Sequence, residues 1–197
     1  HFPVYILCGR LMYSFFSSAT NGAMKAIRTN AGMIKKVYVP KYIYPLSSVL
    51  FNYVIFLISL IVLVVVSVVL KVYPTIYLAQ AIIPLIVLLV MAFGVGMILS
   101  TMAVFFRDLE YLWSVGLMII MYASAIFYKP ERLLKSGFSW ILKCNPLYLL
   151  IHNFRQAVFG HPMNMKFLAA SILFAIVSVI VGMIVFYKKQ DEFILHI

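Results

Sequence analysis

The stretch LSSVLFNYVIFLISLIVLVVVSVVL, Leu46–Leu70, decides the fold class. It is uncharged throughout and dense in Val, Ile and Leu. A helix needs about 20 consecutive apolar residues to cross the hydrocarbon core of a bilayer, and this run exceeds that length. The rest of the chain agrees with it. Hydrophobic residues make up 65%, charged residues 11%, and the mean hydropathy is +1.07. A soluble domain carries roughly 45–50% apolar and about 25% charged residues. A chain of 197 residues cannot hide the excess inside itself, because a folded domain of that size leaves much of its surface exposed. A soluble fold is therefore excluded.

Four further runs flank the first. Phe2–Met24 is interrupted only by Arg10. Val72–Phe106 is uncharged but too long for one upright span; Pro74 and Pro84 leave its first part interfacial or bent, with the core at Ile83–Val104. Tyr111–Tyr128 and Phe167–Tyr187 complete the set. The reading is an all-α integral membrane protein with a bundle of five spans, the first weakened by Arg10. Ala92, Gly96 and Ser100 recur every fourth residue, as do Ser171 with Ala175 and Ser178 with Gly182. This spacing lets helices approach closely in lipid.

The connections say more about function. Lys25–Pro45 holds Lys25, Arg28, Lys35, Lys36 and Lys41 and no acid. Asn30 is placed to cap a short helix in which Met33, Ile34 and Val37 form an apolar face, with Lys35 and Lys36 off it. Pro40 and Pro45 stop that helix and restart the chain. The segment reads as an amphipathic helix on a membrane surface or, from charge alone, as a plain basic loop. The tight turn at Phe106–Glu110 carries Arg107, Asp108 and Glu110, and Arg107 is expected to neutralise one of the two acids. Lys129–Lys166 is too apolar for a hydrated loop. Trp140 lies in a first short amphipathic helix, and Asn145-Pro146 opens a second that runs through Tyr148, Phe154 and Arg155 to a stop at Gly160. Both helices should pack on the spans, because backbone at membrane depth must be sheltered by protein. One side of the membrane would then receive eight basic residues and the other seven. Lys25–Pro45, the Arg107 turn and the C-terminal segment are placed together in the cytoplasm, on the greater weight of the first loop.

Chemistry that would mark an enzyme is missing. There is no phosphate loop, no H-E-x-x-H and no G-x-S-x-G. Two isolated cysteines, Cys8 and Cys144, form neither a disulfide framework nor a zinc pattern. No catalytic or metal-ligating residue is assigned. The formal net charge of +11 is assigned to lipid headgroups rather than nucleic acid. Arg10 is the one ionisable residue placed inside a span, and it can snorkel to the interface. The aromatic residues Tyr13, Phe16, Trp113, Tyr122 and Phe127 serve as belt or core residues, or as a stacking surface for sugar rings.

In order along the chain, Asn30–Pro40, Ile43–Ser48, Phe105–Tyr111, Asn145–Tyr148 with Phe154-Arg155, and Tyr187–Phe193 resemble the membrane subunit of ABC-2-type exporters. The likeness is to permeases for lipid-linked polysaccharides such as O-antigen and teichoic acid. The resemblance implies a coupling helix at Asn30–Pro40 that docks on a separate ABC ATPase, which would bind the ATP and Mg; no cofactor is assigned to this chain. It implies external gate helices within Lys129–Gly160, a homodimer of permeases with the pathway between them, and a multi-pass place in a bacterial or archaeal cell membrane. The family's subunit has six spans after a cytoplasmic amphipathic helix. Residues 1–197 would then be one transmembrane domain lacking that helix and the first span. The alternatives are export of drugs or small lipids by the same type of permease, and a membrane enzyme acting on lipid-linked sugars.

Overall fold

The computed structural model describes residues 2–36, 40–71, 76–124, 140 and 144–196. Every regular element among them is helical. The helices are α1 (Phe2–Thr29), α2 (Ala31–Lys36), α3 (Ile43–Val69), α4 (Ile82–Phe105), α5 (Leu109–Ala123), α6 (Pro146–Val158), α7 (Met165–Lys189) and α8 (Phe193–His196). Two 3-10 turns, Ile76–Ala81 and Gln190–Glu192, lead into α4 and α8.

Among the described residues, three helical stretches are long and apolar enough to cross a membrane: Ile43–Val69, Ala79–Phe105 and Met165–Glu192. The five expected runs thus divide. Helix α1 has 28 residues but carries Arg10, Lys25 and Arg28 along its length. It continues five residues past Met24, because lysine and arginine are good helix formers whatever they do to an apolar count. Helix α5 has 15 residues, about 22 Å at the helical rise, and Phe127 lies outside the described residues.

Helix α4 is the centre of the bundle. It packs on α1, α3 and α7, and its own sequence dictates how closely. A Cβ on Gly94 would stand 2.6 Å from the Val179 nitrogen, and one on Gly182 would stand 2.8 Å from the Gly94 oxygen. Helices α4 and α7 therefore meet backbone to backbone. The expected small residues are buried, but they are shared between neighbours. Gly96 faces Ala23 of α1, not α7, and Gly94 does the work at the α7 contact. The outer faces of α3 and α7 carry exposed large apolar side chains, including Phe51, Ile58 and Ile61 on the first and Leu173 and Ile180 on the second. Only lipid or protein can cover such surfaces.

Candidate functional site

The two ends of the bundle assemble different machinery. At one end α1 gives way to α2 at Asn30. Its side chain donates to the Ala26 oxygen at 2.8 Å, so it closes α1 rather than capping α2, correcting the expected N-cap. The N–H of Ile34 still bonds the Asn30 oxygen, at 2.9 Å. Within α2, Ile34 is buried, whereas Met33 is 57% exposed and Lys35 and Lys36 point outward. The expected apolar face is thus reduced to Ile34 among the described residues; Met33 joins the lysines on the outer face, and Val37 lies outside the described residues. Pro45 sits in the first turn of α3, where a missing N–H costs little.

Ile34 enters a cluster with Ala26 and Ile27 of α1, Tyr44 of α3, Met97 and Val104 of α4, Phe186 of α7 and Phe193 of α8. The turn between α4 and α5 is held at the same end by an ion pair from Glu110 to Arg28 of α1. The sequence reading assigned the neutralising role to Arg107; a partner 82 residues earlier supplies it instead, and Arg107 and Asp108 are exposed. The first loop, the charged turn and the segment after α7 therefore share one end of the bundle, where the alternation of spans had placed them together.

Along α1 and α5 the Arg28–Glu110 pair is the first of four contacts in antiparallel register. The Trp113 indole N–H donates to Thr20 Oγ1 at 3.1 Å, and the Tyr13 hydroxyl donates to the Leu117 oxygen at 3.0 Å. Arg10 reaches the Met121 sulfur at 3.6 Å and lies 5.9 Å from the Tyr13 ring. Tyr13 and Phe16 are buried behind α5, and the Phe16 and Trp113 rings are 6.3 Å apart. Tyr122 faces outward. Beside this ladder a cavity of about 460 Å³ is walled by Phe16, Met91, Trp113, Asn145, Leu147 and Phe174.

At the opposite end α6 begins and stops as its residues dictate. The Asn145 side chain accepts from the Leu147 N–H at 3.1 Å and donates to Ser124 Oγ at 2.9 Å, and Pro146 takes the first helical position. Gly160 adopts φ 81°, which only glycine does at no steric cost. The His161 N–H then reaches the Gln156 oxygen and the Gly160 N–H the Ala157 oxygen, closing a Schellman turn. Ten of the 13 residues of α6 are buried, Tyr148, Phe154 and Arg155 among them. It packs against α1, α4, α7 and the 3-10 turn before α4. Asn153 Oδ1 accepts from the Asn164 N–H at 3.0 Å and so holds the start of α7. Trp140 is exposed; the rest of the first short helix expected around it lies outside the described residues.

Arg10 stays exposed; among the described residues, the cation drawn into the bundle is Arg155. Arg155 is 5% exposed; its Nε–H donates to the Tyr5 oxygen at 3.0 Å and its guanidinium lies 3.5 Å over the Tyr5 ring. A buried cation must find such partners. Burial, aided by the Arg155 charge, holds the neighbouring His152 imidazole below its ordinary pKa. No local pattern marks Arg155 as buried, since its partner lies 150 residues earlier. Phe193 did leave a trace: it follows Phe186 by seven residues, two helical turns across a polar stretch.

Comparison with known proteins agrees with this architecture. Residues 3–159 match the family described as ABC-2 type transporter. Two O-antigen export system permease proteins RfbA from Klebsiella pneumoniae are 30% and 28% identical to the chain, each over 98% of it and 74% of their own length. A protein of the same name from Myxococcus xanthus is 25% identical over 98% of the chain and 75% of its own length. With the family matched across most of the helical bundle, and relatives aligned through α7 as well, the chain belongs to the ABC-2 type transporter family of membrane proteins.

Proposed function

We propose that this chain is the permease subunit of an exporter that moves a lipid-linked polysaccharide outward across a bacterial or archaeal cell membrane. The names of the relatives support a polysaccharide cargo; a polyol-phosphate polymer is the other cargo of the same reading. A separate ABC ATPase, binding ATP and Mg, docks on α2. The observation that carries this is the division of α2: Ile34 is buried in the bundle while Met33, Lys35 and Lys36 are turned outward. One face grips the bundle and the other offers two cations and a thioether to a second protein.

In this reading α1, α3, α4, α5 and α7 are five spans, and the α2 end is cytoplasmic. Helix α6 and the segment around Trp140 form the external gate. Two copies of the chain enclose the pathway, and Trp113 and Tyr122 are the described aromatic residues left to face it. Lys35→Glu with Lys36→Glu is expected to release the co-purifying ATPase and abolish export. Ile34→Ala should retain the ATPase but export less per ATP hydrolysed. Wild-type ATPase capture and export in the charge-reversed variant would defeat the assignment of α2.

A further inference from the structure

The terminal segment after α7 is built into the same cluster as α2. Phe193 is fully buried, set edge-on to Phe186 with ring centroids 5.1 Å apart and 6.0 Å from the Phe105 ring. Helix α8 packs on both α2 and α4. A second tie lies outside the apolar cluster: Lys41, just after α2 in the chain, donates from Nζ to the Gln190 oxygen at 2.7 Å. The sequence turns back on itself to make both contacts. The apolar Phe186 and Phe193 are separated by Tyr187, Lys188, Lys189, Gln190, Asp191 and Glu192, and the 3-10 turn Gln190–Glu192 brings the two rings together.

We infer that Phe193 is a positioning residue for transport, clamping α2 to α7 so that a displacement of α2 is delivered to α7 and not only to α1 and α3, the helices adjoining it in the chain. The inference rests on the reading of α2 as the docking helix. The physical reason is connectivity. Helix α2 has six residues, too few to hold a fixed orientation unaided. Through Ile34 and Phe193 its position is coupled to α7, and α7 is fused to α4 by the Gly94–Gly182 contact. A push at α2 thereby reaches the centre of the bundle through packed side chains, which yield little under load.

The test uses the complete permease co-expressed with its ABC ATPase subunit, reading ATPase capture, ATP hydrolysis and polymer exported per ATP. Phe193→Ala should keep the ATPase bound and hydrolysing while export per ATP falls on the order of tenfold, within the usual range of an allosteric coupling. Phe193→Leu, which restores apolar volume, should recover most of it. Lys41→Met, a change at a half-buried side chain outside the apolar cluster, should lower export per ATP severalfold at unchanged membrane abundance. A purely structural role would lower abundance, ATPase capture and export together and leave export per ATP unchanged. Wild-type export per ATP in Phe193→Ala and Lys41→Met overturns the clamp, as does loss of ATPase capture in step with export. Failure of the docking reading is separate: it shows as undiminished ATPase capture by Lys35→Glu with Lys36→Glu, whatever Phe193 variants do.

Discussion

Helices α4 and α7 are joined by small residues, and helices α1 and α5 by spaced polar rungs. In the first pair the backbones touch at Gly94, Ser178 and Gly182. In the second only Leu109 and Leu117 of α5 are buried, and the Arg28, Thr20 and Tyr13 side chains reach across to it. Lipid is as apolar as leucine, so burial alone does not draw helices together in a bilayer. Close packing and hydrogen bonds are what remain. The seam holds two backbones at a distance neither can change without clash, whereas the rungs hold by long side chains that can exchange partners. The first pair is suited to be frame and the second to be moving part. Tyr111, Leu112, Val115 and Met118 on the open face of α5 are left for lipid or a second copy.

The sharpest break of this comparison is Gly94→Ala. Its Cβ would meet the Ser178 hydroxyl and the backbone at Ser178 and Val179 at 2.5 to 2.7 Å. Overpacking against backbone should cost about 3 kcal/mol, visible as a lowered thermal midpoint in detergent and reduced membrane abundance. If Gly94→Ala unfolds with the wild type, the seam is not rigid. Next come the rungs. Tyr13→Phe removes one hydrogen bond with the ring retained and should cost about 1 kcal/mol; Trp113→Phe removes another and also trades the indole for a smaller ring, so it should cost more. Together they should raise the labelling rate of a cysteine placed at Leu117, and an unchanged rate would show that the rungs do not hold α5.

Arg28→Met should cost less than about 1 kcal/mol, since both partners are about a quarter to a third exposed and the pair is screened by solvent. Restoration by the double exchange Arg28→Glu with Glu110→Arg would confirm the pairing, and no recovery would place the effect elsewhere. The smallest effect belongs to Gly116→Ala on α5. Its nearest neighbour would be Trp113 at 3.7 Å, an ordinary contact, so helix propensity should make the change neutral or stabilising by up to about 1 kcal/mol. Destabilisation there as large as at Gly94 would erase the distinction between the two pairs.

What was legible in the sequence was local. The apolar runs of α3, α4 and α7 are continuous in the chain, and the limits of α6 are written in adjacent residues, Asn145-Pro146 and Gly160. What escaped was pairwise and distant. Glu110 chose Arg28 over its neighbour Arg107, and no periodicity predicts a choice made between two helices. Arg155 read as one basic residue on a short amphipathic helix; its burial depends on Tyr5 at the other end of the chain. Asn30 has the composition of a cap, but whether it serves the helix before or after it depends on where α1 ends. Charged residues concealed that end. The outward face of α2 was half legible: the lysines were expected there, Met33 was not.

The seam between α4 and α7 also sets an order of assembly. Helix α4 ends at Phe105 and α7 begins at Met165, so roughly 60 residues must be synthesised between them, about 3–12 s at 5–20 residues per second. During that interval the groove at Gly94 has no permanent neighbour and is filled by lipid. A chain arrested before α7 lacks the partner for its own central helix. Helix α7, made well after α4, is thus the one that closes this seam, and a quality-control protease would find the unfilled groove of α4 until it arrives.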